Sequence, residues 1–357
     1  MVGPVPFLYG GISKVAGSFL DAKNSGVQID YVKTSTKKSF VYKIPVFVSG
    51  LIRVVFKLML QKPHVVHIHF SKGASLYRKL AVESLVHFFD IPVLVHSHSF
   101  AQKIDVRNGI FPIPDFYKKA SFFTKKIISH FLDSADAVIV LSEGIKSCFR
   151  NITRNKNIRV LPNPVDCKKY LTGYKTRRGN QILFMGDFSQ RKGIHILLKA
   201  VPEVRKYQPG VQFNLCGGRR EEIQDMVKKF DIENEVKIPG FVTGKEKVEF
   251  FKKSDLFVLP SYGEGFPIAI LEAMSSGLPI ITTPVGGIPD VLEEKQNALF
   301  VCPGDHQELS EKIIFLLKKR DMRARIGTNN RQKALEEFDT PVIIRRLREI
   351  YSEVIKN

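Results

Sequence analysis

YGEGFPIAILEAMSSGLP, residues 262–279, carries the marks of a helix with defined ends. Pro267 suits a first helical position, where its missing N–H costs nothing, and Gly277 followed by Pro279 suits a C-terminal stop. Between them Ile268, Leu271 and Ala273 can face a core. The flanking runs DLFVLPS (255–261) and LPIITT (278–283) read as strands, so the helix is the crossover of a parallel β-α-β unit. Two acids stand out: Glu264 in the entry loop between Gly263 and Gly265, and Glu272 inside the helix.

The alternation extends both ways. Further strands fit at 181–186, 211–218, 235–240 and 298–302, with helices near 193–206, 219–230, 245–253 and 287–294. After Cys302 the pattern is helical to a last helix at 341–356, entered through Asp339, Thr340 and Pro341. Before residue 172 the strands are HVVHIHF (64–70), IPVLVHSH (91–98), 135–142 and a short one in 157–166, with helices at 78–89 and 115–132. Only two residues precede Gly3, so the first strand is expected to be very short, or the chain to start late. TGYKTRRGN (172–180) is a polar linker. The expected organisation is two α/β domains, 1–171 and 172–340, with helix 341–357 packing on the first.

A chain of 357 residues suits two cores, and 44% apolar with 25% charged residues is globular. Four scattered cysteines suggest neither a zinc site nor a disulfide framework, which fits a reducing, cytoplasmic setting. No secretory signal peptide is evident. The apolar run 44–60 is interrupted by Arg53 and Lys57 and falls short of a transmembrane helix; it is expected to pack against the first sheet, with a share in membrane contact as the alternative. The net charge of +20 is uneven: residues 1–170 hold 25 Lys/Arg against 10 Asp/Glu. That surface attracts polyanions, and without a nucleic-acid-binding signature the better partner is an anionic membrane surface. Helix 115–132, with Phe122, Phe123 and Ile127 among Lys118, Lys119, Lys125 and Lys126, is basic and amphipathic enough to lie on one.

Several residues can carry chemistry. Gly10-Gly11 opens a helix and reads alone as a tight turn. GDFSQRKGI (186–194) sets Arg191 and Lys192 beside a helix N-terminus, favourable for a diphosphate. His96 and His98 share a strand face, with His98 nearer the strand's carboxyl end. No clear third ligand joins them, HVVHIHF reads as strand packing, and no metal is expected. Glu264 and Glu272 would stand roughly 12 Å apart along a helix, a span for one extended ligand. The amides of Gly265, Phe266, Pro267's neighbour Ile268 and the helix start could hold phosphate between a sugar at Glu264 and a ribose diol at Glu272.

Taken together, GDFSQRKGI, VLPSYGEGFPIAILEAMSSGLPIITTPVGGIPDVL (258–292), VLPNPVD (160–166) and the GGIS turn resemble retaining glycosyltransferases of family 4, with two Rossmann-like domains in the GT-B fold about a cleft. HVVHIHFSKGASLYRK and IPVLVHSH are similar to members that build bacterial surface polysaccharides. The resemblance implies a nucleotide-sugar donor, UDP-sugar by family frequency, and a glycan or lipid-linked acceptor. The nucleotide-sugar is a substrate, so no cofactor is expected. It further implies that Glu272 binds the ribose, and that Glu264 with Gly265, Phe266 and Pro267 meets the donor sugar and phosphate. By the same resemblance Lys192 neutralises the diphosphate, Gly11 approaches the phosphates and His98 lies beside the reacting sugar. The implied chemistry is metal-independent transfer with retention, on the cytoplasmic face of a membrane. One position departs from the pattern. The family places an arginine after the glycine matching Gly186, where this chain has Asp187, and Arg191 is the expected substitute. A silent GT-B scaffold and a GT-B nucleotide-sugar epimerase are the competing readings.

Overall fold

The computed structural model describes residues 1–4, 6, 11–21, 26–35, 40–70, 75–98, 115–170 and 180–356. Most of the expected linker lies outside these. The chain divides into two compact units, Met1–Pro164 with the C-terminal helix, and Val165–Asp339. The division falls at Pro164, before the expected boundary at 171, because Val165 belongs to the second unit: its amide donates to the Phe338 carbonyl at 2.9 Å.

The first unit runs β1 (Val2–Pro4), α1 (Gly11–Asp21), β2 (Val32–Ser35), α2 (Phe40–Gln61), β3 (Val66–Phe70) and α3 (Ser75–His87). It continues with β4 (Val93–Ser97), α4 (Asp115–Lys118), α5 (Phe122–Asp133), β5 (Ala137–Val140), α6 (Glu143–Arg150) and β6 (Ile158–Val160). All pairings are parallel, in the order β2-β1-β3-β4-β5-β6. The first strand is present with three residues. The helix expected over 115–132 is broken, because Ser121 is extended and caps a new start by accepting from the Thr124 amide.

The second unit runs β7 (Gln181–Met185), α7 (Ile194–Tyr207), β8 (Gln212–Cys216), α8 (Gln224–Lys229), β9 (Val236–Gly240) and α9 (Gly244–Lys253). Next come β10 (Leu256–Leu259), α10 (Ile268–Ser275), β11 (Ile280–Thr282), β12 (Ala298–Phe300), α11 (His306–Lys318) and α12 (Arg320–Lys333). The sheet order β12-β11-β10-β7-β8-β9 is that of a doubly wound dinucleotide-binding domain. Residues 287–291 are turns rather than the start of the expected helix over 287–294, and Glu294 bridges to Ala298. Pro289 removes an amide there, and the Ile288 carbonyl is taken by the turn amides of Val291 and Leu292.

α13 (Thr340–Lys356) completes the first unit. It buries Ile343, Ile344, Leu347, Ile350, Tyr351 and Val354, a face at helical spacing. The Tyr351 hydroxyl is hydrogen-bonded to His67 Nδ1 in the sheet, and Glu353 pairs with Arg159 at 2.6 Å.

Candidate active site

In the second sheet the strand order reverses between β7 and β10, the position where such sheets open a ligand crevice beyond their carboxyl ends. The loop after β7 carries Asp187, Arg191 and Lys192, and the loop after β10 carries Glu264. Gly193 has φ 70°, and a Cβ there would lie 1.9 Å from the Pro260 carbonyl oxygen, so only glycine lets the two loops touch. Gly286, φ 60°, backs the second loop as closely: its Cβ would lie 1.7 Å from the Glu264 carbonyl oxygen. The Gly287 amide also donates to the Gly265 carbonyl at 2.8 Å. Glycine here serves close packing, which explains how a Gly-Glu-Gly loop can fix a carboxylate.

That carboxylate is 4% exposed. Its Oε1 accepts from Lys192 Nζ at 2.7 Å and Ser261 Oγ at 2.6 Å. Its Oε2 is reached by Arg191 Nη1 at 3.4 Å, while the same nitrogen donates to the Gly263 carbonyl at 2.9 Å. Asp187 lies 3.6 Å from Arg191. Burial works to raise its pKa, but the Ser189 hydroxyl and amide, with Lys192 and Arg191, hold its carboxyl below the usual range. The two cations are thus matched by two anions.

Pro267 is extended and stands just outside α10 as its cap rather than as its first residue. Phe266 is buried, its ring edge-on to Phe338 at 5.9 Å. At the far end the Leu278 amide donates to the Ala273 carbonyl and Gly277 to Met274, the closing pattern expected of Gly277 with φ 62°. Glu272, on α10, is 5% exposed. Its Oε1 accepts from Tyr170 at 3.0 Å and from Lys247, and its Oε2 has no partner among the described residues. Burial and the Glu272 charge push the Tyr170 phenol far up, so it remains a donor. A buried carboxylate braced on one oxygen and open on the other is an unused acceptor.

In the first unit, α1 begins at Gly11, while Gly10 lies outside the described residues. His98 directly follows β4, its amide on the Phe70 carbonyl at 2.9 Å, and it is not alone. His69 Nδ1 meets His98 Nε2 at 2.9 Å, His96 Nδ1 meets His67 Nε2 at 3.1 Å, and His67 Nδ1 meets the Tyr351 hydroxyl at 2.7 Å. Burial lowers all four imidazole pKa values, that of His98 to about 3, so the rings are neutral at pH 7. HVVHIHF therefore supplies more than strand packing. His67, His69 and His96 offer ring nitrogens within 4.8 Å of one another, the third ligand that the sequence did not reveal.

Residues 16–169 match the family model described as Glycosyltransferase Family 4, and residues 174–333 match Glycosyl transferases group 1. The chain belongs to the family 4 type of GT-B glycosyltransferases. A 2-deoxystreptamine N-acetyl-D-glucosaminyltransferase of Niallia circulans is 23% identical over 91% of this glycosyltransferase and 80% of that protein. An N,N'-diacetylbacillosaminyl-diphospho-undecaprenol alpha-1,3-N-acetylgalactosaminyltransferase of Campylobacter jejuni is 27% identical over 69% and 65%. The Anabaena HepE crystal structure in complex with UDP superposes with a TM-score of 0.70 at 20% identity, covering 92% of this chain and 86% of that one, a likeness of fold. The coverage of curated relatives ranges from 43% to 80% of their own length.

The structure brings Arg191, Lys192 and Glu264 into one cluster and sets Glu272 in a second, while His98 and Gly11 belong to the other unit. The sequence reading missed Lys247, Tyr170 and Ser261. Lys247 had a usable signal. It lies four residues before buried Phe251 in GKEKVEFFKK, so it occupies the helix row that faces the core.

Proposed function

We propose that this glycosyltransferase moves a sugar from a nucleoside diphosphate-sugar, UDP-sugar favoured, to a hydroxyl of a glycan or lipid-linked glycan. The transfer retains anomeric configuration, needs no metal ion and serves cell-surface polysaccharide assembly on the cytoplasmic face of a membrane. The observation that carries this reading is the open, buried Oε2 of Glu272, held in place through Oε1 by Lys247 and Tyr170. A carboxylate so prepared suits the vicinal hydroxyls of a ribose. HepE, crystallised with UDP and with UDP-glucose, supports the donor class, and the printed name of the Campylobacter relative supports a lipid-linked acceptor.

In this mechanism Lys192 and Arg191 take the diphosphate, helped by the first amides of α10, and stabilise its charge as the bond to the anomeric carbon breaks. Glu264 orients both cations and accepts from sugar hydroxyls, with Gly265, Phe266, Pro267 and Ile268 shaping the turn around them. Gly11 and His98 are assigned to the donor by the family resemblance alone, and the acceptor hydroxyl attacks from the face the diphosphate leaves, its proton passing to the departing diphosphate.

Thermal stabilisation by UDP, GDP, ADP and their sugars tests the reading, with wild type compared against Glu272→Ala and Lys192→Ala. A ligand bound only by the native state at a hundred times its Kd adds about 2.7 kcal/mol. Stabilisation by one nucleotide class, lost in both variants, is the expected result. No stabilisation by any of them would leave the silent scaffold as the better account.

A further inference from the structure

We infer that the outer face of α2 is a docking surface for an anionic lipid bilayer, on which the first unit lies without being crossed. The sequence alone favoured packing of residues 44–60 against the sheet and left a share in membrane contact as the alternative. The structure shows that one row does and the opposite row does not. Over residues 42–61 only Gly50, Val54 and Leu58 are buried, spaced four apart. This row seats on β2 so closely that a Cβ on Gly50 would lie 2.6 Å from the Lys33 carbonyl oxygen. On the other side Ile44, Val48, Ile52, Phe56, Met59 and Leu60 are 48–77% exposed. An outward helix face in water is normally polar, and an apolar stripe along about 24 Å of helix marks an interaction site. By length and composition the helix could cross a membrane, but its anchored inner row holds it flat against the unit.

Charge selects the occupant. Every charged residue of α2 is cationic: Lys43, Arg53 and Lys57, the last paired with Asp30 at 2.6 Å. The connections β2 to β3, β3 to β4 and β4 to β5 all step the same way along the sheet, so right-handed crossovers put α2, α3 and α5 on one side. Exposed Phe122 and Phe123, with Lys125 and Lys126, therefore lie on the side that α2 covers. Exposed aromatic and aliphatic groups interleaved with cations are the chemistry of a helix lying in an anionic interface. A second copy docked about a twofold axis would oppose the same cations to one another.

The inference stands apart from the transfer reaction, because no substrate enters its test. The chain contains no tryptophan, so Phe56→Trp supplies a single reporter in the full-length protein. It is titrated with phosphatidylcholine vesicles, with and without phosphatidylglycerol. A blue shift and co-flotation with the anionic vesicles alone, weakening with salt, are expected. Phe241→Trp, exposed in the second unit, should show no shift. Ile52→Glu with Phe56→Glu should lower co-flotation at least about tenfold with the melting curve unchanged, since both positions are exposed. Failure of the wild type to float with anionic vesicles, an unshifted Phe56→Trp emission or undiminished flotation of the double variant would each overturn it. A dimer that the double variant splits, without vesicle binding, would assign the face to a second copy and overturn it too.

Discussion

Lys247→Met removes the one cation that, among the described residues, pairs with a carboxylate that is 5% exposed. Breaking a buried ion pair from one side costs about 3–5 kcal/mol, because the remaining charge is stranded, whereas replacing both partners by neutral groups of similar size is about neutral. Tyr170 still donates to Glu272 Oε1, which places the expected loss near the lower end, about 3 kcal/mol. The double variant Lys247→Met with Glu272→Gln should recover most of that loss, giving a coupling of about 2 kcal/mol between the two positions. Nucleotide binding should follow a different pattern. It should weaken about tenfold in Lys247→Met, where Glu272 loses its brace, and should stay lost in the double variant although stability returns. Urea denaturation followed by circular dichroism reads the first quantity, and calorimetric titration with nucleoside diphosphate reads the second. A single variant costing under about 1 kcal/mol, or additive losses in the double, would refute the stranded-charge account.

Asp187→Asn removes an anion beside Arg191 while leaving an oxygen for the Ser189 amide, so nucleoside diphosphate should bind more tightly. Asp187 is half exposed, which limits the gain to about two- to fivefold at low salt, fading as salt rises in isothermal titration. In the first unit, burial raises the Glu83 pKa to about 8, against the pull of a 2.9 Å hydrogen bond from Ser134. The folded state therefore binds a proton that the unfolded chain releases above about pH 4.5, and stability is lost as pH rises from there to about 8. Glu83→Gln should stabilise the unit by about 1–3 kcal/mol at pH 7 in urea unfolding, and the gain should vanish near pH 4.5.

The fold was legible because its signals are local. Apolar runs bounded by glycine and proline marked β7 to β11 within a few residues, and Gly277 with Pro279 marked the end of α10. Where the sequence failed, a tertiary constraint intervened. Residues 287–294 look helical in composition, yet Gly286 must take φ 60° against Glu264, and the chain turns instead. The outward face of α2 was only half legible for a related reason. Apolar periodicity shows that a helix has an apolar face, but not how many faces the sheet has room to cover. Lys247 sat on the row of Phe251, which signals burial but not a partner, and nothing local marked Tyr170. Their meaning comes from Glu272, which is 25 and 102 residues away in sequence.

The two glutamates that looked alike in sequence are presented in opposite ways. Glu264 is engaged on both oxygens, so a sugar hydroxyl reaching it must displace Ser261 or loosen a cation. Glu272 keeps a whole oxygen in reserve. A ligand contacting both would gain first at Glu272, where a buried acceptor has been carried without a partner at a cost of about 1–3 kcal/mol. At Glu264 it would gain only by exchange. A diphosphate drawing Lys192 and Arg191 toward itself would supply that exchange, freeing the carboxylate for the sugar as the cations turn to the phosphates. On this account nucleotide alone should recover most of the binding energy of the complete donor, and the sugar's contribution should depend on Lys192. Comparing the nucleoside diphosphate with its sugar on wild type and Lys192→Ala separates the two glutamates. If the sugar adds the same affinity to both proteins, Glu264 does not work by exchange.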